Sequence, residues 1–547
     1  MNRRNTARRP ELLLTAAAVA GLVALAAPAT RRDDSGPRYR PDGAGVAYVE
    51  SSSGLTPPSL DGGRTELEMG DVDGDGRLDL VSVGDHGSPH VGTDQHGVMV
   101  WFGDGAGAWT VRMVGDFGYG GVALGDVDGD GWLDVGYGIH HNYSGQDLGD
   151  QILEVALGDG SGLAWLPWDD GLATNGESWG MSATDFADVD GDGDLDLGAV
   201  SFGCCAGVHV YLNRGDGSWQ QSFGFVGGNS GGQCVFGDVN RDGSPDMVVS
   251  HELGTVYLGD GNGGYSLADG NLPSPMSFGL AGVSLGDVDH DGADDLSFCN
   301  DAGGVEVWSM TGPAAWTDLS GTLPANGSCE ATQLADMDRD GHLDVVAFGN
   351  GQLQIFRGDG AGSWTRAVSF TTPSPGNMKA FRVGGDFDHN GYPDIALVAD
   401  EGSWPNGSSH GHVFRESSTP VDLAITPVHP DGFEVVRAGS VVFIDWLTAV
   451  PPGDTGTVTL ELADQGASGP WRTIGEALPD SGRFQWRIPL DTPSSDDAHL
   501  RLTVVTASAS AVAVNAAPFS ILGSVVGPTI ADGIETGGAT VPITPGP

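Results

Sequence analysis

The sequence predicts an all-β protein: a seven-bladed β-propeller followed by a β-sandwich domain. Three observations carry that prediction. First, 90 of the 547 residues are glycine, and no long apolar stripe of helical period appears, so the short apolar runs between Gly, Asp and Asn clusters read as strands. Second, an acidic nonapeptide recurs seven times, at intervals of 55, 62, 50, 49, 49 and 50 residues. A period of that size marks a propeller or a solenoid. Third, past residue 418 the nonapeptide vanishes and short alternating strands take over.

Bulk properties narrow the function. Lys plus Arg total 24 against 74 Asp plus Glu, a formal net charge of −50. Such a surface repels nucleic acid and anionic membranes and attracts cations. The start reads as an export signal over residues 1–30: Arg3, Arg4, Arg8 and Arg9 precede an apolar stretch from Leu12 to Ala27, and small residues follow. No later run of 18 apolar residues occurs, so the mature chain is expected outside the cytoplasm, secreted or at the cell surface, without a membrane span. Residues 31–45 read as a linker.

The nonapeptide is the most informative feature. It begins at Asp71, Asp126, Asp188, Asp238, Asp287, Asp336 and Asp386. Its third residue is Asp73, Asp128, Asp190, Asn240, Asp289, Asp338 or Asp388, and its fifth is Asp75, Asp130, Asp192, Asp242, Asp291, Asp340 or Asn390. The sixth is always glycine, and the ninth is Asp79, Asp134, Asp196, Asp246, Asp295, Asp344 or Asp394. Carboxylates crowded this closely resist ionising unless a cation lies between them. Alternating hard oxygen donors with a glycine at the turn suit calcium. The chain is therefore expected to hold about seven structural calcium ions, which would bring the net charge from −50 to −36. An EF-hand is excluded, because position 12 is never Glu. The ninth residue is expected to close the shell, and the seventh to offer its backbone carbonyl. Apolar runs such as LDLVSV follow each loop, so each loop feeds a strand.

One repeat reads as four strands: TELEMGDV into the loop, LDLVSVG out of it, then GVMVWFGDG and AWTVRMVG. Four antiparallel strands make a propeller blade, and Asp-Gly turns close its hairpins. The last repeat lacks its fourth strand. The segment from Val46, VAYVESSSGLTP, resembles fourth strands elsewhere and is expected to complete blade seven, removing exposed sheet edges. On these Asp-x-Asp-x-Asp-Gly-x-x-Asp loops and GDG turns, the chain resembles the FG-GAP/VCBS repeat family over residues 46–418. The resemblance implies an integrin-alpha-like propeller with calcium in its blade hairpins, in a family of adhesion receptors, bacterial surface proteins and fungal lectins. Residues 419–523 resemble fibronectin-III-like or Ig-like modules, with Trp446 and Trp486 expected in the core. Residues 524–547, rich in Gly, Pro and Thr, read as a flexible tail.

In a four-stranded blade the calcium loops crowd one rim, leaving the opposite rim for recognition. The second-to-third loops on that opposite rim are long in blades seven, one and two. They carry His86, His90 and His96, then His140, His141 and Tyr143, then Trp404, His410 and His412. The link after blade two adds Trp168 and Trp179. Aromatic platforms beside polar groups suit sugars, so this sector is the expected surface for an extracellular carbohydrate or protein ligand. The alternatives are a hydrolase or lyase using the histidines with a transition metal, and a purely structural surface protein. The propeller is expected to be monomeric. Two disulfides are expected in an oxidising compartment, Cys204–Cys234 and Cys299–Cys329, each spanning 30 residues; Cys205 is then left over, or takes the place of Cys204.

Overall fold

The computed structural model describes residues 38–39, 46–55, 66–84, 96–118, 120–139, 146–174, 180–201, 207–228, 230–273, 282–401 and 409–523. All regular structure among the described residues is β. The expected leader and tail lie outside them; of the expected linker, Arg38–Tyr39 is described and forms an edge strand, with Arg38 opposite Val49 and Tyr39 opposite Tyr48.

Each repeat folds as an antiparallel meander. In the first, Glu68–Gly70, Asp79–Val83, Val98–Gly103 and Trp109–Val114 lie side by side in that order. Five more four-stranded sheets repeat the pattern. The last repeat, Met378–Val383, Ile395–Asp400 and Ser409–Glu416, takes its next strand from the N-terminal segment. Tyr48 lies opposite Glu416, Val49 opposite Arg415 and Glu50 opposite Phe414. The second strand of each of the first six repeats is buried end to end, as in Asp79–Val83 and Asp134–Gly138, because neighbouring sheets cover both of its faces.

The apolar cores sit between successive sheets. Val81, Val83 and Val100 of the first pack with Val122, Val135 and Ala156 of the second. Corresponding clusters join each later pair. A further cluster sets Ala396, Val398 and Val413 of the last sheet against Leu80, Met99 and Trp101 of the first.

The C-terminal strands form two further sheets. Ala424–His429, Val441–Ala449 and Arg483–Arg487 make one. The other is built around Ser495–Val505, Thr457–Ala463 and Phe519–Leu522. They enclose one core containing Trp446, Trp486, Leu460, Leu500 and Phe519. Trp446 is only 2% exposed, and its indole N–H donates to Asp480 Oδ1 at 3.0 Å. The two tryptophans are thus core residues, as their pattern predicted.

This sandwich is no free spacer. It lies on the rim that carries the acidic loops. The Val441 N–H donates to Asp188 Oδ2 at 2.9 Å. Gln485 exchanges hydrogen bonds with the backbone of Asp126, at 3.0 and 2.7 Å. Arg437 donates to the carbonyls of Asp242 and Gly243, Arg487 to that of Asp192, and the Val450 N–H to that of His389. Through these bonds the second domain grips four of the seven loops.

The cysteines correct one expectation. Cys299 and Cys329 are bonded, with Cα atoms 5.5 Å apart. Cys234 is a free, buried thiol, not half of a Cys204–Cys234 bridge. Its side chain points into the core between the third and fourth sheets, among Ala183, Val200, Met247 and Tyr257, where burial pushes its pKa well up. Cys204 and Cys205 lie outside the described residues.

Candidate metal centres and ligand surface

The loops are built from the backbone inward. In the first, Asp71 caps the turn: the Asp75 N–H donates to Oδ1 at 3.0 Å and the Gly76 N–H to Oδ2 at 2.8 Å. The glycine at position six always has a positive φ, between 78° and 92°, which a side chain would resist. At position nine both Asp79 oxygens are used. Oδ2 accepts from the Val72 N–H at 3.1 Å and Oδ1 from the Gly103 N–H at 2.9 Å. That carboxylate therefore ties the loop to the third strand of its own sheet. The pairing repeats at Asp134, Asp246, Asp344 and Asp394.

Position four was missed in the sequence. It too is left-handed in all seven loops: Gly74, Gly129 and Gly191, then Arg241, His290, Arg339 and His389 with φ of 52–63°. A non-glycine residue held there costs about 1 kcal/mol or more. Three of these four side chains hold the sandwich. Arg241 Nε donates to the Phe433 carbonyl at 2.7 Å, Arg339 Nη2 to Thr426 Oγ1 at 2.8 Å, and His389 Nδ1 lies 3.2 Å from Thr448 Oγ1. The available signal was the change from Gly to large polar residues at a fixed place.

The carboxylates converge. Asp71, Asp73 and Asp79 offer oxygens within 4.8 Å of one another, as do Asp126, Asp128 and Asp134, Asp188, Asp190 and Asp196, Asp287, Asp289 and Asp291, and Asp336, Asp338 and Asp344. Burial, reinforced by neighbouring carboxylates, raises the pKa of Asp79, Asp134, Asp246, Asp295 and Asp344 to about 8. A divalent cation reverses that logic, because its charge favours the ionised form. A more direct sign of fit is at position three. The Oδ1 atoms of Asp190, Asn240, Asp289, Asp338 and Asp388 are buried without a hydrogen-bond partner. Buried acceptors are seldom left so, and a calcium ion in such a loop would take that oxygen as a ligand. The donor set suits a hard cation held by oxygen, with no sulfur or imidazole in these groups.

Two loops depart from the pattern. In the sixth, Arg357 forms an ion pair with Asp338. In the seventh, Arg415 Nη1 lies 2.9 Å from Asp388 Oδ2, and both side chains are almost wholly buried.

The expected ligand sector is only partly described. His86, His90, His140, His141, Tyr143, Trp179 and Trp404 lie outside the described residues. His96 Nδ1 lies 3.3 Å from the Gly115 carbonyl and 3.4 Å from the Asp116 carboxylate. Trp168 is half-buried, edge-on to Trp219, and packs with the core of the second and third sheets. His410 and His412 are brought together by acids that sequence reasoning missed. Glu401 accepts from His410 Nδ1 at 2.6 Å and lies 3.0 Å from His412 Nε2, whose Nδ1 is 2.9 Å from Glu50. Burial opposes the charged form of His412, but Glu50 and Glu401 outweigh it and raise its pKa. Burial likewise acts to raise the pKa of Glu401, but bonds from His412, His410 and Ser374 lower it overall. Of the two, His412 links the last sheet to Glu50 of the N-terminal strand.

A cavity of about 920 Å³ lies between the first strands of the repeats and the sandwich, lined among others by Glu66, Asp185, Asp294, Arg382, Asp445 and Arg483. Two of its arginines are paired, Arg382 with Glu68 at 2.9 Å and Arg483 with Asp445 at 2.7 Å.

Known proteins place this geometry. No curated protein matches the chain. Among solved structures, similar ones include an Agrocybe aegerita lectin that recognises non-reducing terminal N-acetylglucosamine, at 18% identity over 57% of this chain and 81% of that one, with a TM-score of 0.39. Another is BBS1N in complex with ARL6DN, at 10% identity over 66% and 96%, TM-score 0.41. A third is a gluconolactonase from Xanthomonas campestris, at 10% identity over 72% and 99%, TM-score 0.31. The FG-GAP-like repeat family matches residues 71–137, 188–249, 287–347 and 336–397. Those four stretches contain all seven acidic loops, so the chain carries FG-GAP-like repeats arranged as blade-like four-stranded sheets.

Proposed function

We propose that this protein is an exported, calcium-stabilised, closed seven-bladed propeller that serves as a recognition module for an extracellular carbohydrate or protein, with no chemistry of its own. The observation that carries the calcium reading is the set of converging carboxylates with orphaned position-three oxygens in loops three to six. Closure is supported by the pairing of Tyr48–Glu50 with the last sheet and by the core shared between last and first sheets.

Recognition is assigned to the rim opposite the loops. The sandwich occupies the loop rim through Val441, Gln485 and Arg437, which makes it a cap rather than a matrix anchor. The last, first and second sheets are neighbours, because they share cores. The catalytic alternative loses support at His412, whose two ring nitrogens are engaged by Glu50 and Glu401.

The test is saturable binding of the full chain to an array of glycans and extracellular matrix proteins, with calcium and after chelation. The expected result is retention of one ligand class without turnover, abolished together by His140→Ala and His141→Ala. Release of a cleaved product would contradict the binding reading.

A further inference from the structure

The sequence presents seven loops as equivalents, and the structure does not. We infer that the seventh loop, Asp386–Asp394, holds no calcium, and that the guanidinium of Arg415 is its permanent cation. The inference rests on the calcium reading of the other loops.

Arg415 is locked on three sides. Its Nη1 donates to Asp388 Oδ2 at 2.9 Å, its Nε to Ser51 Oγ at 2.7 Å, and its Nη2 to the Ala106 carbonyl at 3.1 Å. Its residue is only 1% exposed. A guanidinium so placed cannot swing out without leaving a buried charge unpaired. Asp388 is the position-three residue; its Oδ1 is buried without a hydrogen bond, as in four other loops, and what sets it apart is that its Oδ2 is held by a buried guanidinium. Position five differs as well. Asn390 turns its amide nitrogen to the Glu416 carbonyl at 2.7 Å, while its Oδ1 accepts from the Tyr392 N–H at 2.8 Å. Both partners fix that orientation, so the side chain presents a donor where other loops present a second carboxylate oxygen.

The charge agrees. Three aspartates and one arginine leave the seventh loop at a net −2, the value of a four-aspartate loop holding one divalent cation. Arg357 stands at the equivalent place in the sixth sheet, since the next residue's N–H bonds to the position-nine aspartate in both, Gly358 to Asp344 and Glu416 to Asp394. Arg357 is 38% exposed in its side chain, so it is free to withdraw when calcium arrives. Arg415 has no such exit.

The consequence is mechanical. Ser51 follows the N-terminal strand, and Ala106 belongs to the first repeat. One arginine therefore clasps the last sheet to the first repeat and to the strand that joins them. The junction stays fastened when calcium is scarce.

The test is an anomalous difference map, recorded at long X-ray wavelength, from crystals of the full chain grown in calcium. Peaks are expected in loop Asp71–Asp79 and its counterparts, with none at Asp386–Asp394. A calcium peak in the seventh loop overturns the inference. Absence of peaks in every loop overturns the calcium reading itself, and this inference with it. In solution, Asp388→Asn should leave the calcium count per chain unchanged, whereas Asp73→Asn should lower it by one. A loss of one calcium in Asp388→Asn contradicts the assignment.

Discussion

The repeats and the C-terminal sandwich are both β-structure, but they are held together differently. The sandwich encloses an apolar core around Trp446 and Trp486, with Leu460, Leu462, Leu500 and Leu502 fully buried. The repeats have apolar cores too, but their hairpins are organised around carboxylates such as Asp71 and Asp79, which repel one another until a cation joins them. One region gathers its apolar side chains in a single core, while the other gathers carboxylates that a cation would relieve. The two meet at the loops, where Val441 and Gln485 bond to Asp188 and Asp126.

Removing calcium should widen that contrast most. Several ions, each contributing about 3 kcal/mol at a hundredfold excess over its Kd, should together raise the propeller's melting temperature by roughly 10 °C or more. Calorimetry after thorough chelation should show that loss, with a smaller shift in any separate sandwich transition, and calcium should restore both. An unchanged trace would break the comparison.

Trp446→Ala attacks the other side. Emptying that site should cost about 3–5 kcal/mol, read from the denaturant midpoint of the sandwich, while the calcium count stays the same. A lost calcium would mean that the two regions are not separable.

Asp79→Asn probes one loop. The amide keeps the shape but places a donor against the N–H of Val72 or Gly103. It should destabilise by about 1–3 kcal/mol and remove one calcium. Retention of the full count would show that position nine is a backbone tie and not a ligand.

The smallest effect concerns pH. His412 has a raised pKa, so its ion pairs contribute fully below the ordinary histidine value of 6.5 and fade as pH climbs through the raised one. Glu401 has a lowered pKa, so its share is full above the ordinary 4.5 and fades as pH falls through the lowered one. The cluster therefore supports the N-terminal strand best between those values. Hydrogen exchange at Tyr48–Glu50 should be slowest there, and in His412→Gln it should be faster by a factor of about five, reflecting roughly 1 kcal/mol. A flat profile in the native chain would remove the role assigned to His412.

Much of this was legible in the sequence, for identifiable reasons. The acidic loops were readable because calcium chemistry demands fixed donors at fixed spacing. The N-terminal strand was readable because the last repeat lacked a partner. The core tryptophans followed from alternation. What escaped depended on contacts between distant residues. The docking of the sandwich rests on isolated residues such as Arg437 and Val441, which no periodicity marks. The left-handed position four was visible only as a change from Gly74 to Arg241 or His389, and its meaning needed the partner domain. Cys234 shared the Cys299–Cys329 spacing, yet its thiol faces an apolar core. Glu401 and Arg415 looked ordinary, and their importance comes from what the fold brings beside them: two histidines in one case, Asp388 in the other.

The most direct test of the central claim is a metal count. Elemental analysis by mass spectrometry on the full chain, purified without chelator and equilibrated with calcium, should find about six calcium ions per molecule and no stoichiometric transition metal. A chain that folds and melts normally with no bound calcium would contradict the account.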